Sequence, residues 1–235
     1  YADQKLTVNA GDVERNRRGD LPESPRDRGD YKFISVGIDW GNRHWVSIHG
    51  VRTNGQVDLI KLFSVGKANP LNPDAIDTDI QSIRLQLAPY EPDIIVADVG
   101  DSGDKVAKLI QIYGKDRVFG CVYPSTPKST GNLVPSWNVQ GNKVSADKLM
   151  QNKRYIANMK DGVIGFYHKM DSELMLYIEH WGNVVIRDEE DEKSPTGFRQ
   201  TIGRKGDDHI QGVVVNKPHE PRNLGCTIHV SSCRK

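Results

Sequence analysis

The most constraining feature of this sequence is an acidic residue inside an apolar run. Residues 36–41 read Val-Gly-Ile-Asp-Trp-Gly, so Asp39 follows residues typical of a buried strand and precedes a tight turn. Residues 94–98, Ile-Ile-Val-Ala-Asp, have the same design and end in Asp98. A buried carboxylate is costly unless it is paired or holds a cation. We therefore expect both acids to occupy strand ends, with Asp39 on a central strand.

A third acidic point, Asp207-Asp208-His209, precedes the last apolar run of the chain, residues 210–215. Three acidic points far apart in sequence predict carboxylates that converge on divalent cations, because like charges repel and need compensation. Oxygen ligands select Mg²⁺ or Mn²⁺ over zinc. Two such ions about 3.5–4 Å apart can activate water and stabilise the leaving oxygen in phosphodiester cleavage.

A single Asp at a strand end is also a common turn former, and this alternative explains Asp101 and Asp104 well, the latter as a helix cap. It explains Asp39 least well, because apolar residues precede Asp39 and Trp40 follows it.

The first half of the ordered region predicts a mixed sheet. Three strand-like runs, of which the last two are joined by an Asn-Gly turn signal, predict an antiparallel meander: residues 33–39, 45–51 and 57–65. After a helix over 76–87, three further elements predict a βαβ crossover with parallel strands: a strand at 94–97, a helix at 104–113 and a strand at 117–123.

The second half is expected to add helices and a hairpin. Residues 124–142 are predicted to be a loop because they are rich in Ser, Thr, Pro, Gly and Asn. Ser145 is predicted to cap a helix that runs to Lys160, and Asp171 to cap another. An acidic turn at 188–192 is predicted to join two hairpin strands. The fold class is thus α/β, with an antiparallel meander plus parallel strands flanked by helices.

Composition restricts the partners and the domain organisation. The 235 residues carry 32 basic and 31 acidic side chains, so a polyanion-binding surface must be a local patch. No apolar run approaches the ~18 residues of a membrane span. The three cysteines lack a CxxC pair, and this argues for a reducing compartment and against structural zinc. We expect a polar arm at 1–31, one domain at 32–216 and a polar tail at 217–235; the first residue, Tyr1, indicates a fragment or a processed product.

Residues 124–160 contain six basic residues against one acidic residue, Asp147. This local excess predicts a surface for a phosphate backbone. A solvated helix face explains the excess equally well. The candidate DNA-binding residues are Lys128, Lys143, Lys148, Lys153 and Arg154.

Together these motifs resemble the nuclease domain of the large terminase subunit of tailed bacteriophages, a member of the ribonuclease H-like group to which Holliday-junction resolvases are related. The resemblance rests on residues 37–41, on 96–98 with 100–104 leading into a helix, and on 207–209, and it covers about residues 33–216. It implies an endonuclease that cuts packaged double-stranded DNA with two divalent ions.

In this resemblance Asp39 bridges the ions, while Asp98 and the pair Asp207 and Asp208 complete the site. The family usually continues its third motif as an Ala-rich helix, whereas residues 210–215 here are β-rich. Which of the two adjacent acids is the main ligand therefore stays open, with a slight preference for Asp208 because it lies nearer the apolar run. His209 is either a group that supports the ligands or a packing residue.

The resemblance also implies partners. An ATPase motor domain is expected upstream, because no Walker-type phosphate loop occurs in this chain. The portal protein and the small terminase subunit are implied as further partners, no membrane is expected, and the implied location is the host cytoplasm. No base-reading motif is evident, which predicts cleavage that is largely independent of sequence.

Two other functions remain open at this point. A nucleotide-dependent kinase or ATPase of the actin-like superfamily also places an acid on its first strand before a phosphate loop, but 235 residues are few for two such lobes and no Gly-rich adenosine loop is evident. A non-catalytic packaging module would bind DNA without metal-dependent cleavage. ATP binding would support the first alternative, and DNA binding without cleavage the second.

Overall fold

The computed structural model describes residues 8–19, 28–29, 31–100, 102–123, 134–190, 192 and 198–204. The described helices are α1 (Ala10–Glu14), α2 (Ala75–Leu87), α3 (Gly103–Tyr113), α4 (Lys148–Lys160) and α5 (Ser172–Asn183). A short 3-10 turn at Ala88–Tyr90 follows α2. The described strands are β1 (Arg17–Arg18), β2 (Tyr31–Asp39), β3 (Arg43–Arg52), β4 (Val57–Gly66), β5 (Ile94–Asp98), β6 (Val118–Val122), β7 (Ser136–Asn138), β8 (Lys143–Ser145), β9 (Ile164–Tyr167), β10 (Val184–Glu190) and β11 (Phe198–Arg204).

Nine of these strands form one mixed sheet in the order β1-β9-β4-β3-β2-β5-β6-β8-β7, and β10 pairs with β11 separately. The meander β2-β3-β4 is antiparallel, whereas β5 is parallel to both β2 and β6. The predicted fold class, a mixed sheet of meander and parallel strands flanked by helices, is confirmed. Strand β2, which carries Asp39, lies in the middle of the sheet.

Helices cover both faces of this sheet. Directly paired residues share a face, so His44, which lies two residues from Val46, lies on the face of Ile38. His44 contacts side chains of α2 and α3, which places both helices there. His49 pairs with Ser35 on the face of Asp39 and contacts Tyr155 of α4, which places α4 on the face that carries the acid.

The N-terminal region differs from the predicted arm. Val8 and Val13 are buried in the main core, and β1 extends the sheet by pairing in parallel with β9. The interpretation of residues 1–31 as a linker is therefore wrong for residues 8–19. Two apolar side chains and a short strand are enough to attach this polar segment, because its backbone finds hydrogen-bond partners at the sheet edge.

Three local predictions also need correction. The predicted loop at 124–142 contains β7, which pairs antiparallel with β8. Asp147, not Ser145, caps α4 by accepting a hydrogen bond from the Met150 amide at 3.1 Å, because Ser145 belongs to β8. Ser102 occupies the N-cap position of α3, and Asp104 lies in the first turn.

Two other predictions hold. The cap at Asp171 is confirmed, since its carboxylate accepts from the Leu174 amide at 2.9 Å. The β10–β11 hairpin is also confirmed, but Asp188, Glu189 and Glu190 of the predicted acidic turn are paired residues of β10. No described helix has the length and apolar character that crossing a membrane requires. The predicted tail at 217–235 and the apolar run at 210–215 lie outside the described residues.

Candidate metal centre

Asp39 and Asp98 are brought together at the centre of the sheet. Each is the last residue of its strand, β2 and β5 respectively, and these strands are parallel neighbours. Ile38 and Ala97 are paired, and the residues that follow them, Asp39 and Asp98, both lie within electrostatic range of Tyr123. Asp39 is 4% exposed and Asp98 is 6% exposed. Two buried carboxylates thus share one edge and one face of the sheet.

The same face continues onto the neighbouring strand. Cys121 of β6 pairs with Asp98, and Tyr123 lies two residues further along the same face. Burial raises the pKa of Tyr123 well above its ordinary value, and the charges of Asp98 and Asp39 raise it further. Burial and the charge of Asp98 also raise the pKa of the Cys121 thiol. Burial beside the carboxylates therefore favours the protonated forms of Tyr123 and Cys121.

The two described acids fit a hard divalent cation. Adjacent carboxylates repel each other, and a cation between them removes that repulsion while using the oxygen ligands that Mg²⁺ and Mn²⁺ prefer. Over the described ranges, no group of three or more His, Cys, Asp or Glu side chains could hold a metal. The predicted third point, Asp207 and Asp208 with His209, lies outside those ranges, as does Asp101.

Four of the five candidate DNA-binding residues are described, and they lie on β8 and α4. Lys143 is exposed at the start of β8, and Lys148 is the first residue of α4. Lys153 and Arg154 lie in the middle of α4, where the Lys153 ammonium donates to the side chain of Gln200. Helix α4 covers the face of the sheet that carries Asp39, so its basic residues are on the side of the acids. Lys143 pairs with Gly120 and therefore lies on the opposite face. Lys128 lies outside the described residues.

Sequence reasoning missed a buried polar cluster on the opposite face of the sheet. His44 Nε2 lies 2.7 Å from Asp79 Oδ2 and 2.8 Å from Lys105 Nζ, and Lys105 donates to Asp79 Oδ2 at 2.6 Å. The other oxygen of Asp79 accepts from the Ala68 amide at 2.7 Å. The cluster surrounds the ring of Trp40, whose centroid is 5.0 Å from Lys105 Nζ. It therefore joins α2, α3 and β3 around the residue that follows Asp39.

Burial and pairing determine the charges in this cluster. Burial lowers the pKa of His44 and that of Lys105, although Asp79 acts in the opposite direction on both. Burial alone would raise the pKa of Asp79, but hydrogen bonds from Lys105 and His44 lower it overall. Asp79 is therefore charged and His44 neutral at neutral pH. A sequence signal existed, since Asp79 and Lys105 occupy positions on the apolar stripes of their helices.

Comparison with known proteins gives likenesses at the level of structure. No family model matches this chain, and no curated protein matches it significantly. The nuclease of the large terminase from thermophilic phage G20c, in a cobalt-bound crystal structure, is 14% identical with a TM-score of 0.48, over 87% of this chain and 91% of that one. The terminase nuclease domain of human cytomegalovirus, soaked with manganese, is 13% identical with a TM-score of 0.42, over 75% of this chain and 86% of that one.

Comparison with a longer protein, a large terminase, gives a similar identity and TM-score. The large terminase of a second thermophilic bacteriophage is 12% identical with a TM-score of 0.47 over 85% of this chain, and the chain spans only 41% of that protein. These three solved structures are one large terminase and two terminase nuclease domains.

Proposed function

We propose that this chain is a metal-dependent endonuclease that cuts double-stranded DNA during viral genome packaging. The observation that carries the proposal is the position of Asp39 and Asp98, two buried carboxylates side by side at the ends of neighbouring parallel strands. In open sheets, sites form at the carboxyl ends of strands. The basic residues of α4 support the proposal because they lie on the face of Asp39.

In this proposal Asp39 and Asp98 hold two Mg²⁺ or Mn²⁺ ions together with Asp207 or Asp208. The bound ions supply an activated water and charge that stabilises the leaving oxygen. Asp39 and Asp98 both have rigid positions because β2 and β5 are each paired on both sides. Burial favours the protonated form of the Tyr123 hydroxyl, which can donate a hydrogen bond beside the carboxylates.

The DNA is held through its phosphates. Lys143, Lys148, Lys153 and Arg154, with Lys128, bind the backbone, which explains cleavage without strong sequence preference because phosphate contacts carry no base information. By the resemblance of the sequence, the motor that moves the DNA is an upstream ATPase domain, the portal protein and small terminase subunit complete the assembly, and the host cytoplasm is where it works.

Plasmid cleavage tests this function and gives the first prediction. We expect the protein to nick and linearise supercoiled plasmid in Mg²⁺ or Mn²⁺ and to be inactive in EDTA. Asp39→Asn keeps the shape of the side chain but removes the charge, so the nicking rate should fall by at least about 100-fold, since even groups that only support metal ligands contribute about 10- to 100-fold. Asp98→Asn should have a similar effect.

Asp104→Asn is the matched control, because Asp104 is exposed in the first turn of α3, on the same connection as Asp98. Its nicking rate should stay within about threefold of the wild type, since surface substitutions have small effects. Thermal melting of every variant in EDTA separates loss of activity from loss of folding. Plasmid that stays intact in Mn²⁺ while DNA binding persists would instead support the non-catalytic packaging module, and ATP binding would support the actin-like alternative.

A further inference from the structure

Lys148 differs from the other candidate DNA-binding residues because it is the first residue of α4. Ala146 donates a backbone hydrogen bond to Val122 at 3.2 Å, which attaches the chain just before α4 to the carboxyl end of β6. Asp147 then caps the helix, and Lys148 is its first residue. The start of α4 is thereby held at the edge of the sheet where β5 and β6 end.

Contacts place the ammonium group of Lys148 beside the carboxylate pair. Lys148 Nζ lies 5.5 Å from the centroid of the Tyr123 ring, a cation–π distance. Tyr123 lies on the face of the sheet that carries Asp39 and Asp98, within range of both charges. The thiol of Cys121, paired with Asp98, is within range of Lys148 as well. Tyr123 therefore contacts the Lys148 ammonium and lies within electrostatic range of both carboxylates.

The other described basic residues lie further from this point. Lys153 is five residues along α4, about 7.5 Å further along the helix axis, and contacts Gln200. Lys143 pairs with Gly120 and therefore lies on the face of the sheet opposite Asp98 and Cys121. The position of Lys153 suits a contact to a phosphate that flanks the cleavage point.

We propose that Lys148 is a catalytic residue that donates a hydrogen bond to a non-bridging oxygen of the phosphate being cleaved. This inference rests on the proposed function. Hydrolysis forms one P–O bond to the attacking water and breaks the P–O bond to the leaving oxygen, with one proton passing from the water to solvent and one taken up by the leaving oxygen. Lys148 keeps its protons throughout, and its charge stabilises the negative charge that develops on the phosphate oxygens.

The test separates chemistry from binding. In Lys148→Met, kcat for plasmid nicking in Mn²⁺ should fall by about 100-fold, the size of effect seen when one oxyanion donor is removed, while KM changes by less than about threefold. Lys148→Arg should restore part of kcat because it keeps the charge. Lys153→Met should raise KM and leave kcat near the wild-type value, since it removes a phosphate contact alone.

Two further measurements complete the experiment. Calorimetric titration with Mn²⁺ in the absence of DNA should give the same affinity for Lys148→Met and the wild type, which excludes an effect through the metal ligands. Lys115→Met is the neutral control, because Lys115 is exposed at the opposite end of β6. Thermal melting checks folding, and if Lys148→Met is unstable, Lys148→Gln takes its place in the same comparison, with an unchanged kcat overturning the inference.

The outcomes are distinguishable. A wild-type protein that cleaves, together with a Lys148→Met variant of unchanged kcat or of raised KM alone, overturns the role of Lys148 and leaves the proposed function standing. A wild-type protein that binds plasmid but does not cleave it in Mn²⁺ overturns the proposed function, and the role of Lys148 with it.

Discussion

At the scale of single residues, the same sequence pattern has two structural outcomes. Asp58 lies between Val57 and Leu59 in β4, as buried as Asp39, yet it accepts from Arg52 Nε at 2.6 Å and from the Tyr31 hydroxyl at 2.9 Å. Those partners make Asp58 part of the framework, because a buried carboxylate with a cation and a donor is compensated. Asp39 lies near a second carboxylate, Asp98, and a pair of carboxylates favours a bound cation.

The buried His44 gives a prediction about stability and pH. Its ring faces Asp79, Lys105 and Lys67, and burial lowers its pKa. The native state therefore keeps the ring neutral, while the unfolded chain takes up a proton near pH 6.5. Because the unfolded state then binds more protons, His44 contributes to a loss of stability as the pH falls below about 6.5. The free energy of unfolding should decrease more steeply between pH 7.5 and pH 5 in the wild type than in His44→Gln.

Gln keeps a nitrogen donor near Asp79 without titrating, so it is the substitution that isolates the proton. Urea unfolding at three pH values in this range gives the two slopes, and the carboxylates contribute equally to both proteins. Parallel pH profiles for the wild type and His44→Gln would show that the ring does not change its protonation on unfolding.

At the scale of elements, the candidate site depends on how closely β5 and β6 approach. A Cβ atom added at Gly120 of β6 would come within 2.4 Å of Cγ2 of Val99, the residue that follows Asp98. The glycine is required by this close approach, not by an unusual backbone angle. The position of Asp98 is thus linked to a strand that supplies neither of the two acids.

Gly120→Ala should therefore both destabilise the protein and reduce cleavage. We expect a loss of about 1–3 kcal/mol in the free energy of unfolding, the usual cost of overpacking, together with a lower nicking rate because Val99 has to move. Gly66→Ala is the control, since no atom lies within 4 Å of a Cβ added there. Chemical unfolding and plasmid nicking measure the two effects, and equal stabilities of the two variants would refute the explanation.

At the scale of the whole molecule, the N-terminal segment is part of the folded unit. Val8 and Val13 are buried, Asn16 donates to the Met159 carbonyl at 2.7 Å, and Arg18 Nε lies 3.6 Å from Asp58 Oδ1. The segment covers the edge of β9, and an exposed strand edge favours aggregation. A domain that began at residue 32, as the sequence predicts, would lose all of these contacts.

Deleting residues 1–19 should accordingly lower the melting temperature. Loss of two buried valines costs about 3 kcal/mol or more, which corresponds to roughly 6–12 °C for a chain of this size. Deleting only residues 1–7 is the control, because it retains every contact named above. Calorimetry measures the shift, and light scattering detects association through the exposed edge. Equal melting temperatures for the two truncated proteins would contradict the assignment of residues 8–19 to the core.

Local patterns in the sequence determined most of the framework. Alternating and helical periodicities predicted the meander, the βαβ crossover and the helices, because these signals depend on residues that are close in sequence. The positions of Asp39 and Asp98 at strand ends were predictable for the same reason, since each ends a short apolar run. Only the tertiary structure decided which polar residues meet. The cluster of His44, Asp79 and Lys105 joins three elements. The position of Lys148 depends on how β8 leads into α4. Such contacts between distant residues depend on strand register and helix packing, which no local pattern specifies.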